Sequence, residues 1–296
     1  MVEAANGVLL SPELLAKLER MELVSRKIFR GRMKGERRSK RKGQSVEFAD
    51  FRNYVAGDDL RFIDWNLYAR LDRLYLKLFL EEEDLHFFGL IDDSLSMDFG
   101  NPTKFWVAKQ LIAALGYVGL CRGDRVQINS FSSSGKSGAA LRGRSSLVRM
   151  VSHIQGMEPS EPPPLETCVK NFCLRNPGKG IVVLITDLMD KSGYESALRL
   201  LVAREMDVYL IHLLAPEELE PQLVGDLKLV DCEDGDTREI SVSSQLLKRY
   251  HDTLNAFVGQ AKSYCNRRSI AYIPARSDQA VDVLINQYLR QRGLVR

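Results

Sequence analysis

After the apolar run Phe87-Phe88-Gly89-Leu90-Ile91 the chain continues Asp92-Asp93-Ser94-Leu95-Ser96-Met97, setting one carboxylate and two hydroxyls at positions i, i+2 and i+4. In a loop at a strand's carboxyl end, that spacing aims three oxygens at one point. Hard oxygens of this kind suit Mg²⁺ or another small hard cation. A second apolar run, 181–186, ends in Asp187 and would bring another carboxylate to the same edge, which is where open α/β sheets bind ligands. The competing use of Asp92 or Ser94 is to cap the next helix. The placement after a strand, with a second strand ending in an acid, favours the cation-binding geometry. Asp93 and Asp98 read as solvated loop carboxylates that add negative potential for a partner to meet.

The elements that must hold these groups are legible as an alternation of apolar strands and amphipathic helices, the pattern of a parallel sheet covered on both faces. Strands are expected over 87–91, 126–131, 181–186, 208–213 and 270–273. Helices are expected over 103–121, 145–154, 165–174, 194–205, 245–266 and 279–290. Around Asp234-Gly235, two alternating runs predict a β-hairpin insert near 227–242. An opening helix has Ser11 as its cap and a stripe of Leu14, Leu15, Leu18 and Leu23. The near-alternating run Leu74-Tyr75-Leu76-Lys77-Leu78-Phe79 reads as a strand. The resulting fold class is α/β, a doubly wound and mostly parallel sheet over 85–296, preceded by a smaller module over 1–84.

Composition sets the outer bounds. The 296 residues are 45% hydrophobic and 27% charged, which suits a folded globular chain with a sizeable core. A formal charge of +3 argues for no particular partner. Its distribution is uneven: between Met21 and Gly43 ten Lys or Arg face two Glu, a net +8 that leaves about −5 for the rest. This basic segment, 26–42, reads first as a solvated loop and, if it binds, as one that meets an acidic protein surface. Nucleic acid is disfavoured, because Phe29 is nearly its whole supply of aromatic rings for stacking. Five cysteines without a C-x-x-C pair fit neither a disulfide framework nor a zinc knuckle and suggest a reducing cytoplasm. No apolar stretch reaches the roughly 18 residues of a membrane span, and Glu3 argues against a secretory signal.

Other motifs carry less. Asp58, Asp59 and Asp64 resemble an acid/base group, but Arg52, Arg61 and Arg70 lie close in sequence and favour ion pairing. Gly135-Lys136-Ser137 lacks the earlier glycine of a phosphate-binding loop, since Ser130 stands there. The four histidines form no nucleophile arrangement, and His86 and His212 fall in or beside strands, where packing is the expected role.

The Asp-x-Ser-x-Ser-Met loop, with a strand ending Thr-Asp some ninety residues on, resembles the metal-ion-dependent adhesion site of von Willebrand factor type A domains. Upstream, Glu47-Phe48, Arg52-Asn53-Tyr54, Gly57-Asp58-Asp59-Leu60-Arg61, Ile63-Asp64-Trp65 and Ala69-Arg70, leading to Lys77 and Glu81-Glu82-Glu83, resemble the bacterial domain-of-unknown-function family fifty-eight. That resemblance runs from about residue 25 to the end. It implies a type A-like sheet domain and a divalent ion held by Asp92, Ser94 and Ser96. It also implies a partner's acidic residue completing the shell, and a cytoplasmic protein working beside a MoxR-type AAA+ ATPase on a client complex. Type A domains also supply a Thr from a separate loop. Aligning the following helix on Leu165, Cys168, Val169 and Phe172 puts Pro163 there, and Thr167 one helical turn inside is the substitute.

The expected function is therefore a non-enzymatic protein-binding adaptor using Asp92, Ser94, Ser96 and Asp187, with Mg²⁺ bridging to an incoming carboxylate. A metal-assisted hydrolase built on the same carboxylates is the alternative, as is binding of nucleic acid or an anionic surface through 26–42.

Overall fold

A computed structural model describes residues 8–25, 47–80, 85–132 and 138–295; within these, only the backbone is described for 47–49, 78–80 and 287–288. The basic segment 26–42, the acidic run Glu81–Glu83 and Gly135-Lys136-Ser137 lie outside the described residues. The chain divides into two compact units, Lys27–Asp84 and the remainder, Met1–Arg26 with Leu85–Arg296. The opening helix thus belongs with the sheet unit and not with the small module expected over 1–84. The reason is apolar packing: Leu9, Leu10, Leu18 and Leu23 join the core that covers one face of the sheet.

In chain order the elements are α1 (Pro12–Leu18), β1 (Glu47–Asn53), α2 (Trp65–Leu71), β2 (Tyr75–Leu80), β3 (His86–Ile91), α3 (Lys104–Arg122), β4 (Arg125–Ser130), α4 (Leu147–Gln155) and α5 (Leu165–Arg175). There follow β5 (Ile181–Thr186), α6 (Glu195–Ala203), β6 (Asp207–Leu214), α7 (Pro216–Leu219), β7 (Gly225–Val230), β8 (Thr237–Val242), α8 (Ser244–Arg267), β9 (Ala271–Arg276) and α9 (Val281–Val283).

The small unit is a hairpin with a helix in its connection. Strands β1 and β2 pair antiparallel, and β1 is hard to see in the sequence because its charged and aromatic residues blur the alternation. Asp64 caps α2: its Oδ1 accepts from the amides of Asn66 (2.9 Å) and Leu67 (3.1 Å). Of the ion pairs expected there, Arg52 grips Asp58 with two 2.7 Å bonds and Arg61 holds Asp59. Asp64 takes Lys77 at 3.1 Å in place of an arginine, because Lys77 stands on β2 beside the capping loop.

The sheet unit is a doubly wound α/β fold. Its five parallel strands run in the order β4-β3-β5-β6-β9. Side chains alternate between two cores, as a two-residue repeat demands. Phe87, Ile91, Ile181, Val183, Ile185, Tyr209 and Ile211 face α1, α3 and α4. Phe88, Leu90, Val182, Leu184, Val208 and Leu210 face α5, α6 and α8. Gly89 lets α3 approach, since a Cβ there would stand 2.5 Å from Ile112 Cγ1. The last expected helix becomes a short α9 followed by a π-helix, Leu284–Leu289. The wider turn brings Leu284, Ile285 and Leu289 to one buried face. Among the described residues no helix is long and apolar enough to cross a membrane.

Candidate functional site at the carboxyl edge of the sheet

Counted from β3, the strand order is 2-1-3-4-5, so the direction of winding reverses between β3 and β5. In open α/β sheets ligands bind outside the strand ends at such a switch point. Asp92 follows β3 and Thr186-Asp187 closes β5, so the residues singled out in the sequence flank the reversal. The register ties them together: the Asp92 amide donates to the Ile185 carbonyl at 2.9 Å, extending the ladder one residue into the loop.

Asp92 is 7% exposed. Its Oδ1 accepts from the Ser94 amide (3.0 Å) and its Oδ2 from the Thr186 hydroxyl (2.5 Å). The Ser94 and Ser96 hydroxyls lie 3.0 Å apart, carried by a 3₁₀ turn over Leu95–Met97. Burial, and then the charge of Asp187, raise the Asp92 carboxyl to about 6, against the pull of the Thr186 and Ser94 hydrogen bonds. Among the described residues no positive side chain offsets the Asp92 carboxylate.

Asp187 is in the opposite condition. It is 1% exposed, and its Oδ2 meets Lys104 Nζ at 2.7 Å, while its Oδ1 accepts from the Met189 amide at 3.1 Å. Lys104 is completely buried at the start of α3 and also pairs with Glu218. Burial pulls the Lys104 ammonium down, but Asp187 and Glu218 outweigh it and hold it above the ordinary lysine value. Glu218 is positioned in turn by the Ala215 amide, which donates to its Oε2 at 2.7 Å. The two strand-end carboxylates therefore lie within electrostatic reach of each other, and among the described residues Asp187 has an ion-pair partner while Asp92 has none.

Neighbouring groups fix this arrangement. His212 is fully buried, with Nδ1 2.6 Å from the Tyr272 hydroxyl and Nε2 3.0 Å from the Asp187 carbonyl. Burial lowers it to about 4, so it is neutral at pH 7 and its packed role matches the sequence reading. Cys168 lies on the α5 side of the site, and burial followed by the charges of Asp93, Asp92 and Asp190 pushes its thiol up to about 12. Leu188, in the loop leaving β5, sits at φ +60, a left-handed conformation costly for leucine, with its side chain buried.

Other expected residues are placed differently. Asp93 is not solvated but 0% exposed, because the pleat turns it inward, where the Ser132 amide (3.0 Å) and hydroxyl donate to it. Asp98 is exposed, as expected. Thr167 is exposed in the first turn of α5 and takes no part in the hydrogen bonds that organise the Asp92 loop. Pro163 uses its carbonyl to accept from the Cys168 thiol at 3.0 Å. What sequence reasoning missed is Ser160, which forms a parallel bridge with Ser94; its amide donates to the Asp93 carbonyl at 2.7 Å. The Ser160 hydroxyl is buried with no hydrogen-bond partner among the described residues. Its signal is faint: a hydroxyl residue five positions before the helix that begins at Leu165. Lys104 and Glu218 were missed as well, each being an ordinary charged residue at a helix end.

Fold and site together define a doubly wound α/β protein with a buried acid and hydroxyl cluster at its topological switch point. The chain belongs to the DUF58 family, "Protein of unknown function DUF58", whose profile it matches over residues 50–257. It is similar to uncharacterized proteins of Mycobacterium bovis and Mycobacterium tuberculosis, each 28% identical over 248 residues that cover 81% of this chain and 78% of the relative. An uncharacterized protein of Mycobacterium avium is 35% identical over 75 residues, covering 25% of this chain and 44% of that protein.

Proposed function

We propose that this chain is a non-enzymatic protein-binding adaptor whose sheet unit is of the von Willebrand type A kind, using the carboxyl-edge cluster as a cation-assisted adhesion site. The observation that carries the reading is the contrast between the two strand-end acids. Asp187 is paired internally with Lys104, whereas Asp92 has no ion-pair partner among the described residues and stands beside the hydroxyls of Ser94 and Ser96. One carboxylate with two or three hydroxyls fits a small hard cation only in part, so oxygens of water and of a partner make up the remainder. The orphaned Ser160 hydroxyl fits this set and supplies the oxygen that Pro163 lacks. Asp92, Ser94, Ser96 and Ser160 would hold the ion, and the bound cation would reverse the local sign so that an acidic side chain of a partner is accepted.

A MoxR-type AAA+ ATPase is the partner proposed, acting with this chain on a client complex. His212 and Cys168, the two groups beside the cluster best suited to acid/base or nucleophilic work, support a binding role over a hydrolytic one. The first has both ring nitrogens engaged and the second is held as a thiol.

The test is calorimetric titration with Mg²⁺, combined with affinity capture scored for a co-purifying AAA+ ATPase. Binding and Mg²⁺-dependent capture by the wild type are expected, with loss of both in Asp92→Ala/Ser94→Ala. Ser160→Ala should weaken Mg²⁺ binding severalfold while Thr167→Ala leaves it unchanged. Capture of the ATPase undiminished in Asp92→Ala/Ser94→Ala, or turnover of a phosphate ester abolished by Asp92→Ala, overturns the adaptor.

A further inference from the structure

The two acids of the site are almost inaccessible, at 7% and 1% exposure, so a macromolecular partner reaches them only if a neighbouring element yields. The connection of the β7–β8 hairpin lies against the loop that leaves β5. Lys191, four residues beyond Asp187, pairs with Asp231 at 3.1 Å and with Asp234, the two acids at either end of the turn. The same turn carries Cys232 and Glu233. Burial raises the Glu233 carboxyl, and the charge of Asp187 is the next cause. The Cys232 thiol is raised by burial, then by Glu233 and Asp231, and lastly by Asp187. Residues 231–234 therefore lie within electrostatic reach of the second strand end.

The hairpin itself is lightly anchored. Its strands pair with each other and not with the central sheet. No residue of either strand is buried, and Val224 and Val230 are 84% and 63% exposed. With so little apolar area anchoring it, the turn is held to the site chiefly by ion pairs of a half-exposed lysine, interactions that are individually weak. The turn is closed on itself, by contrast: the Glu233 amide donates to Asp231 Oδ1 at 2.9 Å, and the Asp236 amide to Asp234 Oδ1 at 3.0 Å. A rigid acidic turn on a loosely anchored ribbon has the chemistry of the acidic partner segment inferred above.

We propose that the β7–β8 turn is a resident pseudo-ligand: latched by Lys191, it occupies the approach to Asp92 and Asp187 and swings away when an acidic segment of a partner protein takes its place. This rests on the carboxyl edge being the binding site. Lys191 is then the latch in the closed state and a docking cation for the partner in the open one.

Peptide-resolved hydrogen–deuterium exchange and iodoacetamide labelling of Cys232, the one cysteine of the five that is exposed, test this on the full chain. Two variants cut the latch from opposite sides, Lys191→Ala and Asp231→Asn/Asp234→Asn. Both are expected to speed exchange at 92–97 and 187–191, and labelling of Cys232, by about three- to tenfold, the range of lost surface ion pairs. A purely electrostatic influence without movement would instead slow labelling in Lys191→Ala and speed it in the Asn variant. Unchanged exchange in both variants, or labelling that moves in opposite directions, overturns the pseudo-ligand. Mg²⁺ added to the wild type tests the underlying site on its own: failure to protect 92–97 counts against cation binding, whereas the pseudo-ligand stands or falls with the two variants.

Discussion

Lys104→Met removes the ammonium between Asp187 and Glu218 and replaces it with an unbranched apolar chain of similar length. Lys104 is fully buried, Asp187 is 1% exposed, and their atoms meet at 2.7 Å, so water does not replace the lost partner. Removing one member of a buried pair strands the other, which costs about 3–5 kcal/mol. That is a large fraction of the ~5–15 kcal/mol total stability of a typical domain. In a chain of this size it corresponds to a fall of roughly 6–20 °C in melting temperature. Urea and thermal unfolding of the isolated chain followed by circular dichroism measure it. The double variant Lys104→Met/Asp187→Asn removes the more deeply buried of the two stranded charges, leaving the partly exposed Glu218, and should recover at least half the loss, because replacing a buried pair is far cheaper than halving it. A loss below about 1 kcal/mol in the single variant, or a double variant worse than the single one, refutes the assignment of Lys104 as the internal counter-ion.

Asp92 makes stability depend on pH with a definite sign. Its folded value, about 6, lies above the ordinary 3.8, so the folded state holds the proton longer than the unfolded chain. The penalty is absent below about pH 4 and grows as pH rises through 6, to an upper figure of about 3 kcal/mol. In Mg²⁺-free buffer the stability of Asp92→Asn relative to wild type should therefore climb between pH 4 and 7, less whatever the amide loses at Thr186 or Ser94; a flat difference in urea midpoints contradicts the geometry. In the small unit, Asp64→Ala removes both the α2 cap and the partner of Lys77, and should lower the thermal midpoint by about 2–4 °C. An unchanged midpoint would make Asp64 a candidate functional acid instead of a structural one.

Much of the architecture is legible in the sequence because its signals are local. The run 181–186 is apolar throughout, and it is buried on both faces as a central parallel strand must be. Asp234-Gly235 marks the hairpin connection, where Gly235 adopts φ +74. Ser11 has the residue type and position of a cap, and its hydroxyl accepts from the Leu14 amide at 3.2 Å. Strand β1 is not legible, since its pattern becomes a strand only through pairing with β2, some thirty residues later. Asp93 is misread as solvated because two adjacent aspartates look alike in sequence, while in the structure both turn inward, Asp92 to the Thr186 hydroxyl and Asp93 to Ser132.

The amino-acid sequence by itself determined the two-residue and helical periodicities, hence a covered parallel sheet, and it placed Asp92, Ser94, Ser96 and Asp187 at strand ends, because strand ends are local properties of the chain. Only the tertiary structure decided which of those acids receives an internal ion-pair partner. Lys104 and Glu218 lie 83 and 31 residues from Asp187 in opposite directions along the chain, and nothing in their own neighbourhoods marks them. The winding of the sheet brings them together, and in an interior closed to water the Lys104 ammonium holds Asp187 and Glu218 while Asp92 is left without an ion-pair partner among the described residues.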